Sequence, residues 1–182
     1  MRIGIDVSQV AYERTGVSEY LTNLVHNLIE VDKDNEYVLF FSSLRRRIQN
    51  SSIRLAQDKI QNYNSKVKIK SFPFPPVLLD LLWNRLHIFP IEWLIGKTDV
   101  FITSDWTEPP AKAKKATILY DLIVYKHPSE TDSKIIETQK RKLKWVKKES
   151  DIIFCISESS KKDAREILQI PEKRLRVIYP GI

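Results

Sequence analysis

Cysteine is nearly absent from this chain of 182 residues: Cys155 stands alone inside an apolar run, so neither a disulfide framework nor a cysteine metal cluster can be built. Glycine is scarce too, at four residues, and no GxGxxG fingerprint occurs. Zinc-ligand spacings, a nucleophile elbow and a Walker loop are missing as well. No run approaches about eighteen uncharged apolar residues, which argues against a membrane-spanning helix. The opening "MRIGID" is too short and too soon charged for a secretory signal. These absences lead us to expect a reducing, cytoplasmic setting.

What remains is material for a globular core: 42% of the residues are hydrophobic and 29% charged. The length predicts a single domain over 1–182. A formal charge of +7 calls for an anionic neighbour, be it nucleic acid, a phosphorylated substrate or lipid headgroups. The charge is concentrated in "KIIETQKRKLKWVKK" (134–148), where Lys134, Lys140, Arg141, Lys142, Lys144, Lys147 and Lys148 face the single acid Glu137.

Apolar spacing divides the chain. "RIGIDV" reads as a strand, and Val17, Leu21, Leu24, Val25 and Leu28 mark one face of a helix. Residues 37–41 and 66–72 read as strands, while 43–64 is polar without a clear period. The prolines of "PFPPVLLDLLWNRLHIF" suit a helix start, with Leu78, Leu79, Leu82 and Leu86 following. A short helix over 91–95 is expected to end at Gly96. Strands are predicted at 99–103, 116–121 and 151–157, a basic helix at 132–149, another helix at 159–169, and a last strand in "RLRVIYPGI". Such alternation predicts an α/β domain, a mainly parallel sheet covered on both faces. The chain stops directly after a strand, which we read as a cut at a domain boundary.

Ligands of parallel sheets gather beyond the carboxyl ends of the strands, so segments 6–18, 103–110, 120–128, 156–160 and 179–182 hold the candidates. In "RTGVSEY" two readings stand side by side. Thr15, Gly16 and Val17 open a helix and can offer backbone N–H groups to a phosphate, or Thr15 is simply the cap and Gly16 the turn. In "CISESSKKD", Ser157, Glu158, Ser159 and Ser160 can meet sugar or phosphate oxygens, or Ser160 with Asp163 forms a capping box. Tyr120 and Asp121 end a strand, where a carboxylate can accept bonds from substrate hydroxyls or merely stand exposed. His127 shapes a turn. In the basic helix Ile136, Leu143 and Val146 suit packing on the sheet and the lysines a solvated face. Trp145 lies off that stripe, where it can insert among lipid headgroups. No nucleic-acid motif accompanies the charge, so nucleic acid is not an expected partner.

In order, the segments "MRIGIDVSQV…TGVSEYLTNLVHNLIEVDKDNEYVLFFS", "LLWNRLHIFPIEWLIGKTDVFITSD", "ATILYDLIVYKHPSET" and "DIIFCISESSKKDAREILQIPEKRLRVIYPGI" resemble the N-terminal half of the retaining, GT-B-fold glycosyltransferases of family 4, the group 1 glycosyltransferases. The resemblance covers nearly the whole chain. It implies a Rossmann-like, three-layer α/β/α domain that forms one half of a GT-B fold and mainly binds the acceptor. A C-terminal donor-binding domain, absent from this chain, would hold the nucleotide-sugar, so the fragment alone would be inactive. The family's glycine-rich loop falls on Thr15, Gly16 and Val17, with Thr15 and Ser18 in place of glycines common there. Its His-Asp pair falls on Tyr120-Asp121, which the resemblance makes the catalytic candidates. Its serine-containing junction falls on Ser157, Glu158 and Ser160, near donor phosphate or acceptor groups. The transfer it implies is a same-face substitution with retention, on a glycan or lipid-linked acceptor, with no cofactor beyond the donor and no metal. Polysaccharide synthesis at the inner face of the membrane, with 134–148 against anionic lipid, fits that reading. A non-catalytic module that binds an anionic ligand or a membrane surface is the alternative.

Overall fold

The computed structural model describes residues 1–12, 15–44 and 66–180. From residue 45 on, the polar stretch that ends at 64 lies outside the described residues, as do 181–182. Among the described residues seven strands form one sheet in the order β3-β2-β1-β4-β5-β6-β7. They are β1 (Arg2–Asp6), β2 (Glu36–Ser42), β3 (Val67–Phe72), β4 (Val100–Thr103), β5 (Lys114–Leu119), β6 (Ile152–Cys155) and β7 (Leu175–Val177). All neighbouring pairs are parallel. The domain is Rossmann-like.

Alternation along the central strands builds two cores. Tyr37, Leu39 and Phe41 of β2 meet Leu21, Val25 and Ile29 of helix α1 (Gly16–Val31) on one face. Val38 and Phe40 turn to the other face, where Trp83, Ile91, Ile95 and Phe101 fill the space. Gly4 is required by this packing, since a Cβ there would lie 2.7 Å from Phe101 Cδ2 and 2.9 Å from Ile95 Cδ1. A third cluster joins Leu119, Ile153 and Leu175 to Leu143 and Val146 of helix α5 (Ser133–Glu149) and Ala164 of helix α6 (Glu158–Glu166). Edge strand β3 alternates exposed and half-buried residues, with Lys68 and Lys70 outward, as an edge that avoids pairing should.

Between β3 and β4 the structure departs from simple helical spacing. Helix α2 (Pro76–Leu79) opens after Pro75 and continues as a short π-helical stretch over Asp80–Arg85. Leu86 N–H reaches Leu81 C=O at 3.0 Å, five residues back. That wider turn shifts the inward face by one position. Trp83 and Asn84 are buried, whereas Leu86, expected inside, is 55% exposed. Helix α3 (Glu92–Ile95) stops at Gly96, whose φ of 81° is a conformation L side chains rarely adopt. Helix α4 (Ile123–Lys126) follows β5, which ends two residues earlier than expected, so Tyr120 and Asp121 lie just past it.

Candidate active site

The chain winds outward from β1 through β2 to β3, then returns to β4 on the other side of β1. The strand order therefore reverses between β1 and β4, and a crevice opens beyond the carboxyl ends of those strands. A cleft of about 610 Å³ occupies this place, a size suited to a small ligand. Its floor holds Asp6, Ser8 and Gln9 from the end of β1, and Trp106 and Thr107 from the end of β4. Its walls are Val77, Asp80 and Arg85 on one side and Lys134, Ile135 and Arg141 on the other.

The polar groups of this cleft are held in place. Asp6 Oδ1 accepts Ser8 N–H at 2.9 Å, and Ser8 Oγ accepts Ser42 N–H at 3.0 Å. Burial raises the Asp6 carboxyl above its ordinary range, against the pull of Ser8 and Lys142. Arg141 donates to Asp80 Oδ2 and Thr138 Oγ1, both at 3.0 Å, and its Nε is buried without a partner among the described residues. Burial alone would raise Asp80, but hydrogen bonds from Asn84, Arg85 and Arg141 outweigh it and hold the carboxyl below its ordinary value.

Below the cleft lies a buried ionic layer. Lys115 Nζ sits 2.9 Å from Glu108 Oε1 and 3.0 Å from Glu149 Oε2. Glu108 Oε2 also accepts Thr103 Oγ1 at 2.6 Å, and Asn84 Oδ1 accepts Glu108 N–H at 3.0 Å. Lys142, expected on the solvated face of the basic helix, is instead 1% exposed and donates to Ser104 C=O at 2.5 Å. Burial holds the Lys142 ammonium below its usual pKa, although Glu108, Asp105 and Asp6 pull it the other way. Its position, four residues before the buried Val146, places it on the sheet-facing side of α5, a signal the lysine-rich composition obscured.

A second opening, about 870 Å³, runs along α1. It brings together Gly16, Val17, Tyr120 and Asp121, four of the residues the sequence singles out. A Cβ built on Gly16 would meet nothing within 4 Å, so open space lies above this helix start. Thr15 is the N-cap: its Oγ1 accepts Ser18 N–H at 3.2 Å and donates to Tyr12 C=O at 3.0 Å. Tyr120 is buried, with its hydroxyl 3.2 Å from Ser104 Oγ and its ring edge-to-face with Tyr20 at 5.6 Å. Burial lifts its phenol far above the ordinary range, so it stays protonated at neutral pH. Asp121 is exposed, and its Oδ1 accepts Ile123 N–H at 3.0 Å.

At the start of α6 the cap is Ser157 rather than Ser160, because Ser157 Oγ accepts Ser160 N–H at 3.0 Å. Ser160 Oγ donates to Tyr120 C=O at 2.7 Å, which ties this helix to the residue beside the second opening. Asp163, paired with Ser160 in the expected capping box, is bonded to Lys126 at 3.0 Å. Glu158 and Ser159 are exposed. Trp145 is not free for lipid: its Nε1 donates to Asn84 C=O at 2.8 Å and its ring stacks on His87 at 3.5 Å. His127 is exposed beside Glu130, in the turn where the sequence placed it.

Strand-end clefts on a parallel sheet are shared by many chemistries. The decision comes from comparison with known families: the model of Glycosyltransferase Family 4 matches residues 14–182. The chain belongs to that family. No curated protein matches it. Membership in Glycosyltransferase Family 4 makes this a glycosyltransferase-type domain, and it implies a sugar donor and an acceptor as substrates. Among the described residues, no helix is long and apolar enough to cross a membrane. No group of three or more His, Cys, Asp or Glu among them could hold a metal ion.

The sequence missed the crevice residues Asp6, Gln9, Trp106 and Arg141. Asp6, Gln9 and Trp106 lie within the selected strand-end segments, so topology was the signal for them. Arg141 was hidden in the lysine run.

Proposed function

We propose that this chain is the acceptor-side half of a retaining glycosyltransferase that takes a sugar from a nucleotide-sugar and passes it to a glycan or lipid-linked acceptor. The observation that carries the reading is the pair of openings in a family 4 domain: a polar cleft at the reversal of strand order, and a second one gathering Gly16, Val17, Tyr120 and Asp121. The first suits an acceptor. Carboxylates, an amide and an indole are the groups that grip sugar hydroxyls and cover a pyranose face, and Asp6, Asp80, Gln9 and Trp106 supply them. The second suits the transferred sugar and its diphosphate, which meet a helix N-terminus at Gly16 and Val17. Ser160 holds the strand-end backbone of Tyr120 and Ser157 caps the helix that carries it, while Glu158 stays exposed beside them.

In the proposed reaction the acceptor hydroxyl oxygen bonds to the anomeric carbon while the bond from that carbon to the donor phosphate breaks on the same face. The hydroxyl proton passes to the departing phosphate oxygen. A second, donor-binding domain outside these residues would hold the nucleotide, and this domain alone would not turn over. Tyr120, kept protonated by burial, can act here as a hydrogen-bond donor and not as a base. Asp121 is the exposed carboxylate available to the donor sugar's hydroxyls.

The test is transfer by the product of the complete reading frame against a panel of nucleotide-sugars, with Asp121→Ala and Asp6→Asn variants. We expect Asp121→Ala to lower kcat by about a hundredfold. Asp6→Asn should instead raise KM for the acceptor and leave donor hydrolysis intact. No turnover with any donor would overturn the enzyme reading and favour an anion-binding module.

A further inference from the structure

Three consecutive carbonyls in the turn after β4 are each claimed by a side chain from a distant element. Lys142 Nζ donates to Ser104 C=O at 2.5 Å, Gln139 Nε2 to Asp105 C=O at 3.2 Å, and Asn84 Nδ2 to Trp106 C=O at 2.9 Å. Gln139 Nε2 also reaches Asp105 Oδ1 at 3.3 Å, and Asn84 Oδ1 accepts Glu108 N–H at 3.0 Å. Gln139 and Lys142 stand three residues apart, so they are neighbours on one face of α5. Asn84 comes from the buried side of the π-helical stretch. Turn carbonyls usually find water or nearby backbone. Here the partners are 38, 34 and 22 residues away in the chain.

Packing alone does not ask for these anchors. A helix that merely covers a sheet is served by leucine or methionine at the place of Lys142, and an ammonium taken out of water is costly. The ammonium is spent on the turn: its hydrogen bond goes to the Ser104 carbonyl, while Glu108, Asp105 and Asp6 act on it through their charge. The anchored turn in fact touches both openings. Trp106 and Thr107 form part of the crevice floor. Ser104, buried between them and β5, sets its Oγ 3.2 Å from the hydroxyl of Tyr120, which lines the second opening.

We propose that Gln139 and Lys142 are positioning residues for the transfer: they hold the turn 104–107 so that Trp106 covers the acceptor while Ser104 steadies the Tyr120 hydroxyl beside the transferred sugar. The proposal rests on the reading of the two openings given above. One turn, fixed to α5, then sets the spacing between the acceptor site and the donor side. Transfer is sensitive to that spacing, because a displacement of about 1 Å from near-attack geometry can cost on the order of a hundredfold in rate. The two anchors act at different points. Gln139 holds the residue before Trp106, so its loss loosens the acceptor platform. Lys142 holds Ser104, so its loss reaches Tyr120 as well.

The test uses the product of the complete reading frame with its tryptophans replaced by 5-fluorotryptophan, and Gln139→Met, Lys142→Met and, as a control on the exposed side of α5, Lys147→Met. Fluorine NMR without substrate reads the turn directly, the Trp106 resonance being assigned with Trp106→Phe. It should shift or broaden in Gln139→Met and Lys142→Met and stay in place in Lys147→Met, with Trp93 unmoved throughout. In transfer assays Gln139→Met should raise the acceptor KM about tenfold with donor hydrolysis unchanged, and Lys142→Met should also lower kcat about tenfold or more. If Lys142→Met does not fold by circular dichroism, Gln139→Met, at a half-buried position, decides alone. A Trp106 resonance that neither variant disturbs overturns the proposal. So does a disturbed resonance with the parent's kinetic constants, since the turn would then not matter to transfer. A parent that transfers no sugar at all fails differently: it overturns the acceptor reading, and the positioning role with it, whatever the spectra show.

Discussion

Tyr120 shows how one side chain serves both packing and chemistry. Its ring fills space against Tyr20, and its hydroxyl reaches Ser104. Tyr120→Phe keeps the ring and removes the hydroxyl, so the fold should survive with a loss of about 1 kcal/mol in urea unfolding. If the phenol also donates to the donor sugar, kcat/KM falls beyond what that loss explains. A variant with unchanged transfer would reduce Tyr120 to packing. Glu149 offers a pH test of the buried ionic layer. Burial opposes its ionisation, but Lys115 and His87 together hold its carboxyl below the ordinary 4.5. A depressed carboxyl stabilises the fold above its unfolded value, and that contribution vanishes as pH falls through the folded value. Glu149→Gln should therefore lower stability by roughly 1 kcal/mol at neutral pH. Thermal melts from pH 7 downward should show the gap closing below about pH 4.5. A gap that stays constant into acid would mean the pair contributes nothing ionic.

Elements were legible in the sequence where their spacing was undisturbed. Helix α1 carries its apolar residues on one face and begins at the predicted Thr15 cap, and the strands of the sheet appear at the expected segments. The stretch after Pro76 was not legible, because a π-type bond between Leu86 and Leu81 changes the phase that periodicity assumes. The cap of α6 was misassigned for a related reason: three serines in four positions satisfy the same pattern, and only backbone geometry chooses Ser157. Of the candidate site, the opening with Gly16, Val17, Tyr120 and Asp121 could be drawn from strand-end logic. The crevice could not, since it needs the order of strands in space. Gly96→Ala tests an element boundary. At a φ of 81° a methyl group is strained, and the cost should be about 1–2 kcal/mol in chemical denaturation. A neutral result would show that the turn relaxes.

For the whole molecule, parallel pairing fixes where stability resides. Strands β1, β4 and β5 are paired on both sides and covered by helices, whereas β3 and β7 have one partner each among the described residues. Native-state hydrogen exchange should find the slowest amides in the middle strands and much faster ones in β3. Equal protection across the sheet would mean that it opens only as a unit. The ionic layer around Lys115, Glu108 and Lys142 has a consequence that concerns heat. Stripping water from buried charges costs less as temperature rises, because the hydration they forgo becomes less favourable. A version of this core with methionines at the two lysines and leucine at Glu108 would thus compare best with the native one in the cold. The advantage should drift toward the charged core on warming, so that the two stability curves converge or cross near the top of the working range.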